Sequence, residues 1–416
     1  MKITKLINAA LALAVLVVGT LALSVEAARA HGERAQEPFL RMRSVQWYDL
    51  KWEPTTVAVN ETMTITGKFR LSPERHWPQT LAKPEVAFLN ISHPGPVFVR
   101  KSSFVNGVNM ANSTSFELGR DYAFEIKLRG REPGRWHVHT MMNVQHGGAI
   151  VGPGKFVEIT GNRADFTNPQ TTLTGRTVDL EFYGLGNSLM WQMGWTAVAV
   201  VWLLYWLSKR LFFSRARMVT AGRGDELITP MDRTLGFLML FIALGVTLGG
   251  YIWANNKWPV TLPLQSAREF VRPLPDESNK VQVERKRATY RVPGRAMNME
   301  LEVTNTTDQP VRLGEFATAT VRFINPVVGV MDDTTASYPD DILAEEGLTV
   351  DDNSPIAPGE TRVINVRAQD AAWENERLSS LIFDPDSRFG GLLFFYGPDG
   401  TRHISDVGGV LVPQFN

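Results

Sequence analysis

Cysteine is absent from the 416 residues. That excludes disulfides, thiolate metal centres and cysteine nucleophiles, and leaves histidine, carboxylate and backbone groups as metal ligands. Neither sign of charge is in excess, with 43 Lys and Arg against 43 Asp and Glu. No basic surplus is available to neutralise phosphates, so nucleic acid is not an expected partner. Histidine is scarce at seven residues. No Ser-His-Asp order, phosphate-cradling glycine loop or paired-carboxylate arrangement stands out. What the chain does have is length for about two or three cores, 11 tryptophans, and long apolar runs.

The first apolar run, residues 11–23, follows Lys2 and Lys5 and precedes Ala28-Arg29-Ala30. This reads as a secretory leader, residues 1–30, cleaved before His31; an uncleaved anchor is the rival reading. Residues 187–208 and 234–254 are each long enough to cross a hydrocarbon core, which needs about 20 residues. A buried core helix is the alternative for either. Between them, residues 209–233 carry Lys209, Arg210, Arg215, Arg217 and Arg223, so this loop is expected in the cytoplasm and both flanking domains in the periplasm. Trp191, Trp195, Trp202, Tyr205, Trp206, Trp253 and Trp258 include candidate interface anchors.

Residues 31–183 read as β structure. Tyr122, Phe124, Ile126 and Leu128 alternate with Glu125, Lys127 and Arg129, whereas the alternation from Val57 to Phe69 holds only in pieces. Turn signals such as Ser92-His93-Pro94-Gly95-Pro96 and Glu132-Pro133-Gly134 separate the runs. Residues 264–416 resume the pattern, with Met297, Met299, Leu301 and Val303 on one parity. The expected fold is mainly β, two sandwiches joined by two transmembrane helices after a cleaved signal peptide.

The candidate site is Arg135-Trp136-His137-Val138-His139 taken together with His31. On a strand, His137 and His139 point to one side and Val138 to the other. Cleavage before His31 would free its α-amine beside its own ring. One amine and three imidazoles form a nitrogen-rich set suited to Cu(II). A hydrogen-bonded or exposed pair is the bland reading of His-x-His. Glu33 is a candidate outer partner of the same metal, or a solvated charge. His76, His93 and His146 neighbour proline and glycine and read as surface-loop residues. His403 stands alone in the second domain, which is expected to serve structure or docking.

His31-Gly32-Glu33-Arg34, Phe39-Leu40-Arg41-Met42-Arg43 leading to Trp47-Tyr48-Asp49, Trp136-His137-Val138-His139, Pro293-Gly294-Arg295, and Asp384-Pro385-Asp386-Ser387-Arg388-Phe389 resemble the B subunit of the copper membrane monooxygenases. That family includes particulate methane monooxygenase and ammonia monooxygenase. The resemblance spans essentially the whole chain and implies two cupredoxin-like domains, copper held by His31, His137 and His139, and assembly with two other membrane subunits, A and C, as a trimer of three-subunit protomers. It implies a bacterial inner or intracytoplasmic membrane, and oxidation of a small gaseous substrate, ammonia or methane, with O2. Some methane-oxidising members carry two further copper-binding histidines at the positions of Gln46 and Arg70, so that extra site is not expected here. Glu37-Pro38 and Gln46 look nearer to ammonia-oxidising members, Thr140-Met141-Met142-Asn143-Val144 nearer to methane-oxidising ones.

Three classes remain at this point. The chain is an enzyme subunit inactive alone, a structural or copper-holding subunit with the chemistry in a partner, or an electron-transfer domain like the second subunit of a haem-copper oxidase. The missing cysteines argue against the last, whose dinuclear centre needs bridging thiolates.

Overall fold

The computed structural model describes residues 38–172, 175–257, 268–276, 280–291, 296–328, 338–375, 381 and 386–415. The leader, the proposed cleavage site, His31, Glu33 and Glu37 lie outside them, as do Trp258 and residues 292–295. Two compact units are present: residues 1–166 with 267–416, and residues 167–266.

In the first unit a short helix, α1 (Pro38–Arg43), leads into nine strands: β1 (Val45–Glu53), β2 (Thr56–Ala58), β3 (Thr62–Leu71), β4 (Ala87–Ser92), β5 (Phe98–Val105), β6 (Val108–Asn109), β7 (Asp121–Gly130), β8 (Gly134–Val144) and β9 (Gly148–Thr160). They form a five-stranded sheet ordered β1-β3-β7-β5-β6 and a four-stranded sheet ordered β2-β9-β8-β4. Met63, Ile65, Phe69, Tyr122, Phe124, Ile126 and Leu128 fill the core between them with Val138, Met142, Val157 and Ile159. The broken alternation after Val57 has a local cause. β2 pairs with β9 in one sheet and β3 with β1 in the other, and the chain turns between them at Asn60, where φ is 76°.

The second sandwich follows the same plan with β12 (Val281–Arg291), β13 (Ala296–Asn305), β14 (Arg312–Thr318), β15 (Val321–Ile324), β16 (Leu343–Ala344), β17 (Leu348–Val350), β18 (Thr361–Gln369), β19 (Arg388–Tyr396), β20 (Arg402–Val410) and β21 (Val412–Gln414). Its two five-stranded sheets are ordered β17-β18-β13-β12-β21 and β16-β15-β14-β19-β20. Met297, Met299, Leu301 and Val303 all face its core.

The two sandwiches exchange side chains. Met42 of α1, fully buried, belongs to the second core, while Tyr338, Ile342 and Val271 belong to the first. The segment before β12 is tied to the first sandwich by Thr114 Oγ1 donating to Glu269 O at 2.6 Å and Leu274 N to Asp121 O at 2.8 Å. Ion pairs reinforce the junction. Arg70 binds Asp121 at 2.5 Å and Asp406 at 3.3 Å, Arg402 grips both oxygens of Asp49 at 2.6 and 2.5 Å, and Arg43 meets Asp386 at 2.8 Å.

The second unit carries a hairpin, β10 (Pro169–Thr171) with β11 (Thr177–Asp179), and two long helices, α2 (Leu185–Ser208) and α3 (Pro230–Lys257). Both helices are long and apolar enough to cross a membrane, and their most apolar stretches are 0% buried within the described residues. A capping box starts α3: Thr229 N and Oγ1 donate to Asp232 Oδ2 at 2.8 and 2.7 Å, and Asp232 N donates back to Thr229 Oγ1 at 3.3 Å. The other oxygen of Asp232 accepts from Tyr205 and pairs with Lys209 at 3.1 Å, joining the two helices at one end.

Candidate metal centre

β8 is antiparallel to both neighbours, with His139 opposite Gly154 on β9 and Ser92 on β4, and His137 opposite Phe156. Period-two geometry turns Val138 into the core and both imidazoles to the outer face. Their ring centroids lie 4.3 Å apart. The Glu132-Pro133-Gly134 turn sets where this pair emerges: Gly134 has φ 138°, and Trp136 folds back to donate from Nε1 to Glu132 O at 2.8 Å.

A register shift between His139 and Met141 orients the second ring. Two steps along β8 face three along β9, so β9 bulges at Gly152-Pro153. The carbonyl of Gly152 turns toward His139 Nδ1, 3.0 Å away. Because a carbonyl only accepts, His139 carries its proton on Nδ1 and leaves the lone pair on Nε2. That Nε2 accepts from His137 Nδ1 at 3.0 Å. Glycine is required opposite the ring, since a Cβ on Gly154 would stand 2.4 Å from His139 Nδ1. His137 is held from its other side by Phe156, stacked at 4.5 Å and 22°, with the Arg135 guanidinium 4.4 Å from the same phenyl ring.

His139 is 6% exposed. Its pKa is pushed down to about 4, first by burial and then by His137 and Arg41, against the opposing pull of the Gly152 hydrogen bond. The ring is therefore neutral near pH 7, the form a metal needs. Two nitrogens 3.0 Å apart suit adjacent positions on one ion, since cis ligands at about 2 Å each are separated by about 3 Å. The pair thus fits copper with a proton displaced.

Among the described residues, the other histidines are not brought to this pair. His76 is a correction: it is 7% exposed, not a surface residue. Its ring accepts from Arg75 Nε at 3.1 Å and packs on Gly408, whose Cβ would fall 2.9 Å from Nδ1. Tertiary contact with the second sandwich buries it, which Pro78 nearby gave no sign of. His93 is half-buried near Phe98, and burial lowers its pKa. His146 is exposed in the turn after β8 with φ 62°. His403 is buried on β20. Among the described residues no group of three or more His, Asp or Glu could hold an ion.

Gln46 and Arg70 are cross-strand partners on β1 and β3. The Gln46 amide donates to Met42 O, and Arg70 is spent on Asp121 and Asp406. A guanidinium is always charged and offers no lone pair, so it does not ligate a cation. The supporting residues Gly152, Gly154, Phe156 and Arg41 escaped the sequence reading. The signal available for two of them was Gly152-Pro153-Gly154, a bulge signature inside an otherwise regular strand.

Two interlocked β-sandwiches, two helices long and apolar enough to cross a membrane, and a hydrogen-bonded imidazole pair on a bulged strand define a mainly β protein with two membrane-capable helices. The family model for the monooxygenase B-subunit protein matches residues 32–415, and the chain belongs to that family. It is 49% identical over 389 residues, 93% of each chain, to the particulate methane monooxygenase alpha subunit of Methylococcus capsulatus strain Bath. It is accordingly one component of a multi-subunit monooxygenase, an oxidoreductase. Among solved structures, the cupredoxin domain of amoB from Nitrosocaldus yellowstonii aligns with TM-score 0.24 and 17% identity, covering 30% of this chain and 91% of that one.

Proposed function

We propose that this chain is the copper-binding B subunit of a membrane-bound monooxygenase complex that uses O2 to oxidise ammonia to hydroxylamine. The observation that carries the copper reading is the convergence of His137 Nδ1 and His139 Nε2 at 3.0 Å on a bulged strand that fixes the tautomer. His31 completes the set, through its amine and ring after leader cleavage, with Glu33 as an outer partner. Its reach supports this. His31 stands seven positions before Pro38, a span of up to about 25 Å when extended, and Arg41 on α1 already acts electrostatically on His139. When bound, copper supplies one-electron cycling and an open position for O2. The protein's residues hold the His139 imidazole neutral and orient the two rings through the Gly152 carbonyl and Phe156.

The other subunits, A and C, complete the complex, arranged as a trimer of three-subunit protomers. Both sandwiches face the periplasm and the basic loop the cytoplasm. The second substrate reading is methane to methanol, favoured by the name of the relative from Methylococcus capsulatus, whereas Gln46 and Glu37-Pro38 favour ammonia. Membranes bearing the native complex, assayed with both gases, decide the substrate: faster methane than ammonia oxidation overturns the first reading. His137→Ala in the assembled complex tests the role of the metal. Loss of copper with loss of turnover supports the enzymatic reading, and full turnover after copper loss assigns the chemistry to a partner. One alanine added before His31 should weaken copper binding by the full chain; unchanged affinity removes His31 from the site.

A further inference from the structure

We propose that the loop between α2 and α3 is a docking surface for anionic lipid headgroups. Residues 209–229 contain five basic and two acidic residues, but the excess matters only where it is not used internally. Lys209 is spent on Asp232, and Arg223 grips Glu226 through two nitrogens. Arg215 and Arg217, on the short helix Arg215–Thr220, are exposed and make no ion pair among the described residues. They stand beside large exposed apolar side chains: Phe212 is 57% exposed, Phe213 70% and Val219 55%.

This surface is built rather than loose. Met218 and Leu227 are buried beneath it, and Arg223 N donates to Met218 O at 2.9 Å. A folded loop that buries two apolar residues yet leaves two phenyl rings in the open presents those rings to something apolar. Its position says what that is. The loop continues directly from two helices whose apolar faces are entirely outward, so it lies where the hydrocarbon slab ends. Aromatic side chains seat at that boundary, and unpaired guanidinium groups beside them meet headgroup phosphates with two-pronged hydrogen bonds. A zwitterionic surface offers the rings a seat but no net attraction for the charges, so lipid charge is the selective feature.

The test uses the full chain in nanodiscs of phosphatidylcholine alone or mixed with phosphatidylglycerol, with amide exchange of residues 211–220 as the readout. Exchange should slow by about 30-fold in the anionic discs, as expected for two juxtamembrane arginines, and the protection should fade as salt is raised. The variant carrying Arg215→Gln and Arg217→Gln should exchange alike in both discs, and Lys at both positions should restore part of the difference, the share that charge supplies without the two-pronged hydrogen bonds. Unchanged exchange of α2 and α3 checks that the variants fold. Equal protection of the unsubstituted chain in both lipids overturns the proposal. So does protection that arises only when partner subunits are present, whatever the lipid, since the surface is then a protein interface.

Discussion

The two sandwiches use glycine on adjacent strands in the same way and for opposite ends. In the first, Gly154 of β9 clears space for the His139 imidazole, and the Gly152 carbonyl directs that ring's proton to Nδ1. In the second, Gly390 of β19 lies against the Met42 carbonyl, where a Cβ would come within 2.8 Å, and Gly408 of β20 lies against His76. That space is taken by the first sandwich itself. One sandwich presents the candidate site; the other is a clamp that holds the helix before β1. The lesson concerns His76 and His139, both buried histidines packed on glycine. His139 meets a second imidazole through Nε2, whereas His76 meets the Arg75 guanidinium, which offers a metal no lone pair.

The largest way to break this division is at the clamp. Arg70→Ala strands Asp121 and Asp406 at the junction and should cost about 3–5 kcal/mol, as for other buried pairs that lose one partner. A lowered urea midpoint of the full chain, with both sandwiches melting together, is the expected result; a loss confined to the first sandwich would deny the coupling. Met42→Ala follows at about 2–5 kcal/mol. Although Met42 belongs to the helix before β1, hydrogen exchange should rise in β19 of the second sandwich, against which that helix lies.

At the site, Gly154→Ala drives a methyl into the His139 ring. The fold should persist while copper affinity falls by about 10 to 100-fold, the range for lost orienting contacts. Equilibrium copper binding by the full chain measures it, and an unchanged affinity would mean that the bulge does not position the ligand.

The smallest effect is on pH dependence. His76 is held down to about 4 by burial and by Arg75, Arg388, Arg43 and Arg285. Its folded pKa lies below the ordinary value, so its contribution to stability is complete above about 6.5 and is lost as pH falls toward 4. His139 moves in the same sense. Asp406 is pushed up to about 6, chiefly by burial, with Asp121 adding and Arg70 opposing. Its contribution is present below the ordinary carboxylate range and is lost as pH rises through about 6. Between about pH 4 and pH 6 the two residues of the clamp therefore oppose each other. Comparing urea midpoints near pH 7 and near pH 5, His76→Gln should show a shallower acid loss and Asp406→Asn a steeper one.

Legibility in the sequence followed the range of the interaction. The shared face of His137 and His139 was readable because strand periodicity is local, and the helices because about 20 apolar residues in a row are local too. The cleared space opposite His139 was half readable, since Gly152-Pro153-Gly154 signals a bulge but not which side chain the freed carbonyl will meet. His76 could not be placed from its neighbours, because the second sandwich buries it from more than 300 residues away, at Gly408.

What the sequence determined by itself was therefore the set of local preferences: mainly β runs, two membrane-capable helices, no thiol chemistry, and a pair of imidazoles on one side of a strand. Tertiary structure alone decided that Arg70 is a junction cation, that Met42 completes the far core, and that His139 offers Nε2 rather than Nδ1. The reason is physical. Burial, charge pairing and tautomer depend on which atoms approach within a few ångströms, and those approaches come from strands distant in sequence.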